Sequence, residues 1–178
     1  MDSITIIRRL HQHRNWTNQG LFSAASQLTD DQLHRPFPMG QGSIWRSMTH
    51  LYAAEYVWLE ALSGNEDPVV PGDVRGHLPG NQRGDASIRT FADLTQRWSE
   101  LDQRWATYLA GLSPECLTEM VWKVSSLSGE RQSTRRSDIL LHVCTHAQYT
   151  TAQVMNMLRH VGVQTLPDPM LISLARQE

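Results

Sequence analysis

Two histidines four positions apart, His142 and His146, are the residues in this sequence best placed to do chemistry together. Four residues is about one helical turn, so on a helix the two imidazoles stack on one side and could share a cation. At about 100° per residue, with Ile139 as origin, His146 falls near 340° and Thr150 near 20°, inside the apolar arc, while His142 falls near 300°, at its edge. His50 belongs to a different helical segment, about 120° from the centre of its apolar stripe, on a flank that a neighbouring helix could cover. An i, i+4 pair with a third histidine from another helix has the composition of a three-nitrogen metal site that leaves one position open for water or substrate. Such histidines also have a plainer use, in which one ring nitrogen donates, the other accepts, and the ring is a satisfied core residue. For any single histidine that plainer use is the expectation.

Other chemistries are excluded by inspection. A di-iron bundle needs Glu-x-x-His twice, and no glutamate here has a histidine three residues later. There is no His-Glu-x-x-His, no Cys-x-x-Cys, no phosphate-binding lysine loop, no Gly-x-Gly-x-x-Gly and no nucleophile elbow. Sixteen basic against eighteen acidic residues give a net charge of -2, too weak a field to hold a phosphate backbone. The densest basic cluster, Arg131, Arg135 and Arg136, reads as a solvated face, so no nucleic-acid partner is expected. The chain opens without a charged-then-apolar leader, holds no apolar run of about 18 residues, and carries two cysteines, Cys116 and Cys144. A soluble cytoplasmic protein with reduced thiols and no membrane partner is expected.

The elements that must position the histidines are helical. At 178 residues and 40% hydrophobic composition the chain suits one domain, residues 1–178, with a core of its own. Residues 2–28 repeat Ile6, Leu10, Thr17, Leu21 and Leu28 at helical steps behind an Asp2 or Ser3 cap, and Thr29 to Gln32 has the spacing of a capping box. Ser43 caps a second helix running to about Leu62, which carries His50. From Gly64 to Gly84 five glycines and three prolines interrupt any period, which describes a long crossover and a candidate lid. A third helix follows Ser87, with Ile88, Phe91, Leu94, Trp98, Leu101, Trp105 and Leu112 close to heptad spacing. Met120 to Val124 alternates like a short strand, with Gly129 where a hairpin would turn. Ser137 or Asp138 caps the last helix, which carries His142 and His146 and stops at Gly162, and residues 163–178 form a tail. The expectation is an all-α four-helix bundle with a long crossover and one short β-hairpin before the last helix.

Several segments, in order, resemble the DinB/YfiT-like family of bacterial four-helix metalloenzymes. His13-Arg14-Asn15-Trp16-Thr17-Asn18 is similar to the family's opening His-x-x-Trp-x-Asn segment, and Ser43-Ile44-Trp45 through His50 to Glu55-Tyr56-Val57-Trp58 to its second helix. Leu141 to His146, with Gln153 and Leu158-Arg159, resembles the last helix, and Leu166-Pro167-Asp168-Pro169 the tail. The resemblance implies an up-up-down-down bundle, commonly a homodimer, with a divalent metal such as zinc or nickel on one histidine of the second helix and two of the fourth. Those ligands fall on His50, His146 and position 150. The family's His-x-x-x-His-Arg-Gly-Gln motif here reads His146 to Gln153 with Thr150 in place of the third histidine, and a hydroxyl is a far poorer ligand for zinc or nickel than imidazole. Three substitutes are available: His142 from one turn earlier, a carboxylate from Glu55, or a water held by Thr150.

Two functions follow. In one, a cation held by His50, His146 and His142 activates a water or thiolate for thiol-dependent transfer or hydrolysis on a small molecule, the chemistry that the resemblance implies, with Thr150 and Glu55 in the pocket wall. In the other, the same fold binds or assembles without catalysis, the metal having been lost with the third histidine. The family's name records induction by DNA damage, but the charge balance opposes a DNA-handling role.

Overall fold

The computed structural model describes residues 2–178, and the helical pattern of the sequence organises it. Helix α1 spans Ser3–Ala25, with the Asp2 carboxylate accepting from the Thr5 N–H at 2.7 Å. The short α2, Asp30–His34, starts on the capping box formed by Thr29 and Gln32. Helix α3, Ile44–Leu62, is capped by Ser43 and buries a broad apolar face that includes Ile44, Met48, Leu51 and Leu62. Helix α4, Phe91–Ala110, begins at a Thr90 cap rather than directly after Ser87. Ile88 is buried all the same, from the loop, its N–H taken by the Gln82 side chain at 2.6 Å. Apolar spacing thus continued past the end of the helix.

A 3-10 turn, Glu115–Thr118, leads into the antiparallel hairpin β1, Met120–Val124, and β2, Arg131–Arg135, registered from Met120 opposite Arg135 to Val124 opposite Arg131. Helix α5, Arg136–His160, has no side-chain cap, contrary to the Ser137 or Asp138 expectation. Arg135 is extended and Arg136 donates its N–H to the Glu119 carbonyl at 2.9 Å, so the strand runs directly into the helix and its pairing partner satisfies the first donor. The tail is more ordered than its prolines suggested, since Leu171–Ala175 forms a short α6 that buries Leu174.

Helix directions follow from side-chain pairs. Arg8 donates to the Leu109 and Ala110 carbonyls, and Phe22 packs on Trp98 and Phe91, so α1 and α4 are antiparallel. Tyr52 meets Trp98 and Glu60 pairs with Arg104, so α3 and α4 run the same way. His50 meets His146, Trp58 meets His142, and Arg136 donates to the Leu62 carbonyl, so α5 opposes α3. In chain order the long helices therefore run up, down, down, up, which corrects the up-up-down-down expectation. The physical reason is the crossover, residues 63–90, which returns the chain the length of α3 so that α4 starts beside the beginning of α3. The core joins all four helices through Leu21, Leu51, Trp98, Leu101, Trp105, Val143 and Leu158.

The crossover is held in place. The Asp73 carboxylate accepts from the N–H groups of Gly80 and Gln82 at 2.6 and 2.9 Å. Gly80, at φ +87°, comes so close to α3 that a Cβ there would lie 2.5 Å from the Cα of His50. Only glycine permits both this φ and this approach.

Candidate functional site

The approach at Gly80 fixes the first site residue. Its neighbour Pro79 presents its carbonyl to Nδ1 of His50 at 2.8 Å. A carbonyl only accepts, so Nδ1 is the donor in this contact. From α5, the ring of His146 meets that of His50 edge to face, with centroids 5.2 Å apart, and His142 lies 5.7 Å from His146 in turn. Trp58 meets the ring of His142, an exposed residue, edge to face at 5.5 Å. Burial, helped by the neighbouring His50 and His142, holds His146 down to about 4, and desolvation also lowers His142. Both rings are therefore neutral imidazoles near pH 7, able to accept a hydrogen bond or a metal.

These rings border a cavity of about 390 Å³ between α3, α5, the hairpin and the crossover. Larger hollows lie between α1 and α4, about 480 Å³, beneath the tail, about 640 Å³, and between the later halves of α3 and α4, about 630 Å³. None gathers histidines from two helices, so the smaller cavity is the candidate site.

The other expected residues fall elsewhere. Thr150 is buried and does not line the cavity. Glu55, 1% exposed, accepts from the guanidinium of Arg14 and from the Asn18 amide at 2.9 Å. Burial pushes its carboxyl up while Arg14 and Asn18 pull it back. Its lone pairs are committed to α1, so Glu55 supplies no ligand to the histidines. Sequence reasoning missed the wall that the crossover and hairpin contribute: Leu78, Pro79, Lys123, Gln132 and Thr134. One signal was readable, since Lys123 is the sole lysine of a chain with fifteen arginines.

Whether these residues suit a divalent metal can be tested on their geometry. With nitrogen about 2.0–2.1 Å from zinc and the ring centroid about 1.1 Å further on, two imidazoles at the tetrahedral angle have centroids about 5.2 Å apart. The His50–His146 separation matches this value. A pair is not a site, however. Among the described residues no group of three or more His, Cys, Asp or Glu side chains converges to hold an ion. The donor set fits two imidazoles and does not complete the three-ligand shell of a catalytic zinc.

The model of the DinB family matches residues 2–175. The chain belongs to the DinB family. It is similar to Protein DinB of Bacillus subtilis (strain 168), with 22% identity over 161 residues that cover 89% of this chain and 88% of that one. This DinB-family chain has no helix, among the described residues, long and apolar enough to cross a membrane.

Proposed function

We propose that this DinB-family protein, folded as a four-helix bundle, binds a small molecule in the cavity between α3, α5 and the hairpin, with His50, His142 and His146 as hydrogen-bonding imidazoles. The observation that carries the reading is the meeting of three histidines from two helices at the wall of one cavity, with His50 held through Nδ1 by Pro79. Trp58, Val57, Leu78 and Leu127 supply apolar walls, so the ligand combines an apolar body with a few polar groups. Titration with benzamide, a neutral aromatic amide, is expected to move the ring nitrogen resonances of His50, His142 and His146 and to leave those of His13 and His34 in place. A flat response at all three removes the reading.

A second reading keeps the divalent cation and the enzyme, a thiol-dependent transferase or hydrolase, and is favoured by the 5.2 Å spacing of His50 and His146. In it these two histidines are ligands and His142 swings in as the third, with zinc or nickel as the suited ions. Zinc titration of untagged protein against a chelating dye separates the readings. The first expects less than one ion per chain at micromolar free zinc, and stoichiometric binding that is lost in His50→Ala favours the second.

The proposal extends to a homodimer in the cytoplasm. Leu141 and Tyr149, two turns apart and 41% and 67% exposed, give α5 an outward apolar strip suited to a second copy. The two free thiols suit a reducing compartment. Sedimentation at increasing concentration tests the association.

A further inference from the structure

Lys123 occupies an unusual place for the single lysine of a chain that otherwise uses arginine for its basic groups. On β1 the side chains alternate, so Lys123 shares the inward face with buried Val121, while Trp122 between them is exposed. Across the hairpin, Gln132 pairs with Lys123 and Thr134 with Val121, and both partners line the same cavity. The hairpin thus presents an ammonium, an amide and a hydroxyl to the space bordered by the histidines.

The ammonium is short of partners. Its Nζ lies 5.4 Å from the centroid of the Trp58 ring and donates to the Val124 carbonyl at 3.0 Å. An ammonium has three donors, so two remain. Among the described residues no carboxylate pairs with it. Asp67, the acid that acts on it from a distance, is bound to Arg75. Desolvation holds Lys123 below the usual lysine range, as expected for a cation drawn into a cleft without a counter-ion. No Asp, Glu or Arg lines the cavity, so Lys123 is the one strongly basic side chain there. An inward lysine can also guard the edge of a small sheet. That duty needs its charge in water, whereas this one is half-buried on an indole.

We propose that the site takes a small organic anion, with the negative group on Lys123, flanked by Gln132 and Thr134, and the apolar body against Trp58 and Leu78. This deepens the reading given above and rests on it. It names the ligand's charge, and it makes Lys123 the residue that selects for it. A half-buried ammonium–carboxylate pair made with charge-assisted hydrogen bonds favours the anion over its neutral isostere by about tenfold.

The test compares benzoate with benzamide, followed by calorimetric titration and by the ¹³C resonances of protein whose single lysine has been reductively methylated, a change that keeps the charge. The expected result is benzoate binding about tenfold tighter than benzamide, with a shift at Lys123. In Lys123→Met the preference is expected to vanish while benzamide binding stays, and in Lys123→Arg the preference is expected to return. Equal binding of the two probes to the wild type, or an undiminished preference in Lys123→Met, overturns the assignment of Lys123 and leaves the cavity reading standing. Failure of both probes to bind overturns the two together. The far-ultraviolet circular dichroism of each variant must match the wild type, and Lys123→Gln replaces the methionine variant if that one misfolds.

Discussion

Replacing Asp102 by asparagine should stabilise this protein increasingly as the pH rises. Asp102 lies on α4 beside Arg14, His11 and Trp105 in the hollow between α1 and α4, and its Oδ1 is buried without a hydrogen-bond partner among the described residues. Burial, then the negative charge of Glu55, pushes its carboxyl from 3.8 up to about 7, with Arg14 opposing. A carboxyl whose folded pKa is raised binds its proton more tightly in the folded state. Its contribution to stability is full below about pH 4 and is lost as pH rises towards 7. At 1.36 kcal/mol per pH unit, the loss between 3.8 and about 7 is up to about 4 kcal/mol. Two histidines, His11 buried and His146 half-buried, act in the opposite sense. His11 is held down to about 3 and His146 to about 4, both chiefly by burial, so stability falls as pH drops below 6.5. The wild-type profile mixes these effects, and the difference between Asp102→Asn and wild type isolates the carboxyl. Urea unfolding from pH 5 to pH 8, read by circular dichroism, should show that difference growing by roughly 2–3 kcal/mol in favour of the asparagine variant, then levelling. A difference that stays constant across this range, or that shrinks with pH, would refute the argument that Asp102 is ionised against its surroundings.

Three further outcomes are expected. Glu55→Gln leaves the buried Arg14 guanidinium, 4% exposed, without its counter-charge and should cost about 3–5 kcal/mol in urea unfolding, far more than an exposed glutamate would. Gly80→Ala forces a methyl within 2.5 Å of the His50 backbone at φ +87°, so a loss of at least about 1–3 kcal/mol is expected. Faster amide exchange in residues 76–84 would show that the crossover has lifted from His50. Burial pushes the Cys144 thiol from 9.0 up to about 12, so iodoacetamide at pH 8 should modify it about a thousandfold more slowly than the unfolded chain, as read by peptide mass spectrometry.

Periodicity and capping chemistry in the sequence were enough to locate the four long helices, the Ser43 cap, the Thr29 capping box and the hairpin, because each depends on residues within a few positions of one another. Where they failed, a distant partner had intervened. The Glu119 carbonyl satisfies the start of α5 in place of a side-chain cap, and the Gln82 side chain fixes Ile88 outside α4. Helix direction was also beyond the sequence, since it depends on where the crossover sets the chain down.

The site divides in the same way. The spacing of His142 and His146 guaranteed them one face of a helix, and only packing could bring His50 within 5.2 Å of that face. Glu55 and Thr150 were as legible as the histidines, and the tertiary structure directed them elsewhere, Glu55 to Arg14 and Thr150 into the core. Lys123 stands out in the sequence only as the single lysine, and it acquires a place at the cavity when the hairpin folds over Trp58. Local sequence decides which side chains share a helix face, because backbone geometry repeats every few residues. Which faces meet, and so whether three imidazoles and an ammonium without a counter-ion border one cavity, is decided by long-range packing that no local pattern encodes.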